Sequence, residues 1–290
     1  MADFESLIQK AESLIARLEA VLPPVATDID WNALAWRWQV KQGRGCLRAV
    51  DHPHHIVLDA ICNVDEQKSE IVRNTAQFVN GFPANNVLLT GARGTGKSTL
   101  VKALLSEFSK DGLRLVEVEK EDLVDLPEIV EILRNRPEYF IVFCDDLSFE
   151  ATEPGYKSLK VVLDGSISST SDNVVVYATS NRRHLMPEFM AENLQTQYVG
   201  EEIRPGDTTE EKVSLSERFG LWLSFYAFDQ DEYLKVAQYW LMHFGIPEMT
   251  AEIRQAALLF SLTRGARSGR VAYQFARDYV GRSALKDASK

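Results

Sequence analysis

The sequence has few cysteines and no long apolar run. Its 290 residues include only three cysteines, Cys46, Cys62 and Cys144, which are far apart and odd in number. This excludes a disulfide framework and a C-x-x-C metal site. No apolar run reaches the ~20 residues that a membrane-spanning helix needs, and the early acidic residues Asp3 and Glu5 are unlike a signal peptide. We therefore predict a cytoplasmic protein with no membrane insertion.

Positive charge is also in deficit. The chain has 32 Lys and Arg against 42 Asp and Glu, which gives a formal net charge of −10. This balance argues against a surface devoted chiefly to nucleic acid, although a local basic channel is compatible with an acidic total. Apolar residues make up 45% of the chain, which is ordinary for a globular protein of a length that can bury a sizeable core.

The most informative motif present is G-x-x-x-x-G-K-S. An apolar run at residues 87–89 precedes it and a good helix former at residues 99–105 follows it. A glycine loop between a strand and a helix directs backbone N–H groups and a helix N-terminus at phosphates. Lys97 is predicted to reach the β- and γ-phosphates, and Ser98 to bind Mg²⁺. The predicted cofactor-binding residues here are Gly91, Ala92, Arg93, Gly94, Thr95, Gly96, Lys97, Ser98 and Thr99.

Strand and helix patterns alternate through the middle of the chain. Strands are predicted before the glycine loop and at residues 113–118, 139–144, 174–178 and 221–228, with helices at 64–79, 123–136 and 156–167. Near-continuous apolar strands that alternate with helices predict a five-stranded parallel sheet covered on both faces. From Asp229 onward the pattern is all-helical, which predicts a small C-terminal bundle.

The N-terminal part has a different character. Residues 4–22 carry an apolar stripe at helical spacing that ends at Pro23. A tryptophan-rich stretch follows, in which Trp31, Trp36 and Trp38 are interleaved with Arg37, Lys41, Arg44 and Arg48. These tryptophans either stack nucleic-acid bases or pack this segment onto the core. The predicted domains are an N-terminal helical and Trp-rich segment at 1–54, an ATPase domain at 55–228 and a lid at 229–290.

Polar residues end two of the predicted strands. Residues 140–144 are apolar and run into Asp145 and Asp146. A central strand would deliver Asp145 beside Ser98, so we predict that Asp145 binds Mg²⁺ and that Asp146 orients or activates water. The next strand runs into Asn181, whose amide either contacts the γ-phosphate or attacking water, or serves as a cap or turn.

Two arginine-containing tracts follow, at residues 216–220 and 264–270. The first contains Arg218, and the second contains Arg267 and Arg270 at the start of a predicted helix. A permanently charged guanidinium suits phosphate contact, and surface salt bridges are the alternative.

Together these residues resemble the AAA+ ATPase superfamily over residues 55–285. The resemblance implies that residues 91–98 are Walker A, that Asp145 and Asp146 are Walker B and that Asn181 is sensor 1. It also implies Arg218 as the arginine finger, and Arg270 or Arg267 as sensor 2. Arg270 is preferred because it begins the final lid helix. The tracts 83–86, 143–150 and 178–184 resemble a bacterial family of predicted AAA+ ATPases known only as a domain of unknown function.

The resemblance implies an α/β architecture: a P-loop three-layer αβα domain with a helical lid. It further implies ATP and Mg²⁺ as cofactors, and a homo-oligomer, as a ring or open ring, in which Arg218 acts in trans. The client would be an unknown protein or nucleic acid. Most AAA+ proteins have Asp-Glu where this chain has Asp145-Asp146, so turnover is expected to be slow or to need an activator. A remodelling ATPase, a DNA loader or initiator, and a slow nucleotide switch or scaffold all remain open.

Overall fold

The computed structural model describes residues 29–41, 43–149, 154–164, 172–182, 185, 197–199, 202–204 and 215–288. The helix predicted at residues 4–22 lies outside this part. The strands are β1 Ala35–Lys41, β2 Arg44–Ala49, β3 Val87–Gly91, β4 Leu113–Val118, β5 Tyr139–Cys144, β6 Val174–Ser180, β7 Gln197–Val199, β8 Glu202–Arg204 and β9 Leu221–Phe225. The α-helices are α1 Asp65–Val79, α2 Lys97–Phe108, α3 Leu126–Arg134, α4 Pro154–Asp164, α5 Gln230–His243, α6 Ala251–Arg264 and α7 Gly269–Ala288. Short 3₁₀ helices lie at Leu58–Ala60, Ser109–Asp111 and Lys120–Asp125.

Seven of these strands form one sheet in the order β2-β1-β4-β5-β6-β3-β9. The five predicted strands are confirmed as mutually parallel neighbours, from β4 through β5, β6 and β3 to β9. The strands β7 and β8 form a separate antiparallel pair. The central strands β3, β5 and β6 are almost fully buried, which explains why they read as nearly continuous apolar runs.

The prediction of only five strands was wrong, because an N-terminal hairpin extends the sheet. Strand β1 pairs parallel with β4 and antiparallel with β2. Residues 35–41 and 44–49, assigned from the sequence to a helical and Trp-rich segment, are therefore strands. Their alternation of Trp36 and Trp38 with polar residues has the period of a strand that is buried on one face only. The domain boundaries at 54/55 and 228/229 remain predictions.

Each face of the sheet has its own apolar core, which makes the domain three-layered. On one face, α3 and α4 pack over Trp36, Phe140 and Val142. On the other face, α1 and α2 pack over Val87, Leu89 and other strand residues. Burial of both faces fixes the strand register, because a one-residue slip would exchange the two sets of side chains.

The predicted C-terminal bundle is confirmed. Its helices α5, α6 and α7 pack around the buried residues Tyr233, Ala257 and Phe275. Helix α5 begins with a capping box in which Asp229 and Glu232 exchange side-chain and backbone hydrogen bonds. Over the part of the chain that the structure covers, no helix is long and apolar enough to cross a membrane.

A buried polar network holds the segment that leads into β3. Asn74 of α1 is 2% exposed, and its Nδ2 donates to the Asn85 carbonyl at 2.9 Å and to the Tyr177 hydroxyl at 3.0 Å. Its Oδ1 accepts from the Asn85 N–H at 3.0 Å. Burial raises the pKa of Tyr177 to about 12, so its hydroxyl stays neutral at physiological pH. The network thus fixes the start of β3 relative to α1, and with it the position of the glycine loop that follows β3.

We predict that Asn74→Ala destabilises the protein by about 3 kcal/mol, because it leaves buried backbone groups of Asn85 without partners. Asn80→Ala is the matched control, since Asn80 is exposed and bonds only its own helix. The control is expected to change the free energy of unfolding by less than about 1 kcal/mol. Urea unfolding of both variants measures the difference. Equal losses would contradict the network.

Candidate functional site

The glycine loop between β3 and α2 has a curled backbone. Gly94 has φ +76° and Gly96 has φ +100°, both in the left-handed region that favours glycine. The Thr95 hydroxyl donates to the Ala92 carbonyl at 2.9 Å and closes the loop. Ala92 also bonds the carbonyl of Phe225 on β9 at 3.0 Å. The result is an anion-binding concavity at the N-terminus of a twelve-residue helix.

Lys97, the first residue of α2, points its ammonium into this loop. The side-chain Nζ donates to the carbonyls of Gly91 and Ala92, both at 2.8 Å, and to Asn181 Oδ1 at 3.1 Å. Burial lowers the pKa of Lys97 below its ordinary value, and the nearby carboxylates of Asp146 and Asp145 oppose that shift. A phosphate beside this ammonium would favour its charged form further.

Ser98 and Asp145 meet at the end of β5. The Ser98 hydroxyl donates to Asp145 Oδ1 at 2.6 Å, and the Thr179 hydroxyl donates to the same oxygen at 2.6 Å. A hydroxyl and a carboxylate are the hard oxygen donors that Mg²⁺ prefers. No group of three or more His, Cys, Asp or Glu residues that could hold a metal occurs among the described residues. Mg²⁺ at Ser98 and Asp145 would therefore complete its shell with phosphate oxygens and waters.

Asn181 connects the lysine to the second carboxylate. Its Oδ1 accepts from Lys97, and its Nδ2 donates to Asp146 Oδ1. Asp146 has φ +53°, an uncommon conformation for a residue other than glycine. The Thr179 hydroxyl holds this turn by accepting from the Asp146 N–H at 2.9 Å. Neighbouring groups stabilise this strained backbone conformation, as they do at many functional sites.

The start of the last lid helix touches the glycine loop. The Arg270 N–H lies 3.4 Å from the Gly94 carbonyl, and a Cβ on Gly94 would lie 2.8 Å from the Ser268 hydroxyl. Arg270 and Arg267 are both exposed. The backbone contact places Arg270 beside the loop, while the role of either arginine as sensor 2 remains a prediction.

Six residues were predicted to be catalytic or to bind the metal ion. The structure brings five of them together and places Arg218 elsewhere. The clustered residues are Lys97, Ser98, Asp145, Asp146 and Asn181. Arg218 instead forms an ion pair with Asp164 at the end of α4, with Nε 2.5 Å from Oδ1. A residue that completes the site of a neighbouring subunit must lie outside its own cluster, so this position agrees with the prediction without testing it.

The sequence analysis missed two of these side chains. Thr179 was part of the noted polar tract, but no role was assigned to it. Its contacts arise because β6 lies beside β5, with Ala178 opposite Cys144. The signal was a hydroxyl at the end of a buried strand, and it becomes interpretable only when the strand order is known. Asp164, the partner of Arg218, gave no signal because 54 residues separate the two.

Comparison with known proteins identifies the family of this chain. The model of the family "Protein of unknown function (DUF815)" matches residues 31–283. The chain belongs to the DUF815 family. No curated protein matches the sequence of this DUF815 chain.

Among solved structures, the DUF815 chain is similar to the replication initiator DnaA bound to AMPPCP and single-stranded DNA. The identity is 16%, the TM-score is 0.51, and the match covers 81% of this chain and 69% of DnaA. A RuvB point mutant from Thermotoga maritima matches with 16% identity and a TM-score of 0.41, over 74% of this chain and 68% of RuvB. The likeness to DnaA shows the AAA+ fold, an αβα domain with a helical lid.

We predict that Thr179→Val destabilises the DUF815 protein by about 2 kcal/mol, because the Asp146 N–H loses its acceptor and Asp145 loses a donor. Thr263→Val is the matched control, since Thr263 is exposed and bonds only its own helix. Thermal unfolding at constant pH compares the two variants. A control that loses as much stability as Thr179→Val would contradict the bonding assigned to Thr179.

Proposed function

We propose that the DUF815 protein binds ATP with Mg²⁺ and, at the carboxyl edge of its sheet, hydrolyses the bond between the β- and γ-phosphates, releasing ADP and phosphate. The observation that carries this proposal is the hydrogen-bonded chain from Lys97 through Asn181 to Asp146, beside the contact of Ser98 with Asp145. These side chains hold a cation, a metal-ligand pair and a carboxylate within one small volume. A structural role alone would not require that combination at a glycine loop.

Each group has a distinct task in the proposed reaction. The loop N–H groups and Lys97 bind the phosphates, and Lys97 exchanges its carbonyl partners for phosphate oxygens. Ser98 and Asp145 hold Mg²⁺, which neutralises developing charge when bound. Asp146 accepts a hydrogen bond from the attacking water and orients it, while Asn181 fixes the Asp146 carboxylate. AMPPCP in the DnaA structure supports a nucleotide in a fold of this kind.

We propose further that the protein acts as an oligomer. Arg218 of one subunit would complete the site of the next and stabilise the charge of the transition state. The start of α7 against Gly94 would transmit turnover to the lid, within a unit formed by residues 55–228 and a lid formed by residues 229–290. Movement of the lid would remodel a client protein or nucleic acid.

The trans role of Arg218 is tested by mixing two inactive variants. Lys97→Ala and Arg218→Ala are each expected to reduce ATP hydrolysis at least about 100-fold. An equimolar mixture should recover activity, because an intact Lys97 site can then meet an intact Arg218 from a neighbour. Arg282→Ala, which alters an exposed helix ion pair, is the control and should keep wild-type turnover. A mixture that stays inactive, although its subunits assemble, would rule out the trans role.

A slow nucleotide switch is a second candidate, and the geometry of Asp146 favours it. Its side chain is one methylene shorter than the glutamate usual at this place, and its backbone lies in the left-handed region. A switch would bind ATP tightly and turn it over near the background rate.

Asp146→Glu separates the two candidates. If short reach limits turnover, the variant should hydrolyse ATP at least about 10-fold faster, because the longer carboxylate contacts the attacking water better. Asp146→Asn serves as control, since the neutral amide keeps the length but not the base. Single-turnover hydrolysis measures the step directly. Equal rates for Asp146→Glu and wild type, with Asp146→Asn inactive, would contradict a limit set by reach.

A further inference from the structure

The two faces of the β1–β2 hairpin have opposite characters. On one face Trp36 lies opposite Ala49, and Trp38 lies opposite Leu47. Both tryptophans are 1% exposed, and the Trp38 indole Nε1 donates to Asp125 Oδ2 at 3.1 Å. These rings belong to the core of the sheet, so they are not accessible for stacking on nucleic-acid bases.

The other face carries four basic side chains at close spacing. In the register of the hairpin, Arg37 lies opposite Arg48, and Lys41 lies opposite Arg44. All four residues are exposed, and we call them the basic face. Residues directly opposite in antiparallel strands have Cβ atoms about 5 Å apart, and like charges at that distance destabilise the pair. The hairpin therefore holds two unfavourable pairs.

Among the described residues, carboxylates neutralise only one member of the basic face. Arg37 forms a salt bridge of 2.9 Å with Glu117, which also accepts from Lys102 at 3.0 Å. The side-chain hydrogen bond that Arg37 donates to Glu117 raises the pKa of Arg37, and the charge of Glu119 adds a weaker attraction. Across the described ranges, Lys41, Arg44 and Arg48 form no salt bridge, although the chain carries a net charge of −10.

Protection of the sheet edge explains only part of this pattern. Charged residues on an edge strand prevent pairing with another chain, and Arg44 and Arg48 lie on the edge strand β2. Arg37 lies where β1 pairs with β4 on its other side, so edge protection does not require its charge, whereas Lys41 lies beyond the residues paired with β4. The two basic residues of β1 extend the charge across the full width of the hairpin.

We propose that the basic face binds the phosphate backbone of nucleic acid, without reading its sequence. Three of the four residues are arginines, whose planar groups match phosphate oxygens. A protein partner would need an apolar anchor on this face, and between the two basic pairs lie only the half-buried Gln39 and Cys46. Contacts to phosphates position a nucleic acid and carry no sequence information.

The register places this face two strands from the end of the proposed nucleotide site that holds Asp145. Arg37 pairs with Glu117, and Glu117 pairs with Phe143 of β5, two residues before Asp145. Strand β1 lies two strands from β5, about 10 Å away, and its end at Lys41 lies at the same carboxyl edge. Glu117 also bonds Lys102 of α2, the helix that begins at Lys97. The binding step itself does not depend on ATP.

The test measures binding of the full chain, without nucleotide, to a fluorescent single strand and to a duplex of the same random sequence. The variant Lys41→Gln/Arg44→Gln/Arg48→Gln removes the three unpaired charges. The control Lys110→Gln/Arg254→Gln/Arg264→Gln changes one lysine and two arginines at exposed positions elsewhere. Both variants alter net charge equally, so a difference between them reports the position of the charges.

We expect the chain to bind both nucleic acids at low salt. The logarithm of the binding constant, plotted against the logarithm of the salt concentration, should fall with a slope of about −2 for the single strand and about −3 for the duplex, as three phosphate contacts predict. The basic-face variant should bind at least about 10-fold more weakly and lose most of this slope, while the control stays within about threefold of wild type. The thermal stability of the basic-face variant should be equal to or above that of wild type, because like-charge repulsion is removed.

Three results would overturn the proposal. The first is that wild type binds neither nucleic acid at low salt, and the second is that both variants lose affinity equally. The third is that poly-glutamate, at equal charge concentration, displaces the nucleic acid as effectively as unlabelled DNA does. The last result would indicate an acidic protein as the partner. Since binding is measured without ATP, failure here leaves the ATPase proposal untouched, and an inactive ATPase leaves this one untouched.

Discussion

Parallel pairing of β3, β5 and β6 is the constraint on which the site depends. Because the three strands run in the same direction, their carboxyl ends meet at one edge of the sheet. The glycine loop follows β3, Asp145 follows β5 and Asn181 follows β6. The strands are buried on both faces, so their register cannot slip without moving apolar side chains into the wrong core. The side chains of the site are therefore held by the packing of the whole domain.

The hydrogen bonds of the site compensate for two unfavourable features, a buried charge and a strained backbone. A buried ammonium at Lys97 loses hydration, and three oxygen acceptors replace the lost water. A left-handed Asp146 is unfavourable. The hydrogen bond from its N–H to the Thr179 hydroxyl and the one its carboxylate accepts from Asn181 stabilise it. Both features are difficult to explain by stability alone. A site that binds a polyphosphate and directs a water would need both, which is why we place the chemistry here.

Much of this arrangement was predictable from the sequence. The five parallel strands are mostly apolar, the glycine loop has a specific pattern, and Asp145 and Asn181 directly follow buried strands. The hairpin was missed because Trp36 and Trp38 alternate with basic residues over a short stretch, and tryptophan is compatible with several environments. Alternation of period two was the available signal, and the pairing of β1 with β4 gave it meaning only in three dimensions.

Apart from the approach of Asp145 to Ser98, contacts between distant residues could not be predicted. The bond of Thr179 to Asp145 requires β6 to lie beside β5, and strand order does not follow from local pattern. The ion pair of Arg218 with Asp164 likewise depends on how α4 returns to the sheet. The charge segregation of the hairpin follows from its register, which makes Arg37 face Arg48. In each case the residue types were visible, and their distances were not.

The decisive measurement is the rate of ATP hydrolysis per subunit, with Mg²⁺, over a wide range of protein concentration. We predict that the rate rises as subunits assemble and then saturates, because a neighbour completes each site. Removal of Mg²⁺ should abolish the rate at every concentration. Assembly of the protein with tight ATP binding and a rate that stays at background throughout would contradict an ATPase completed by oligomerisation.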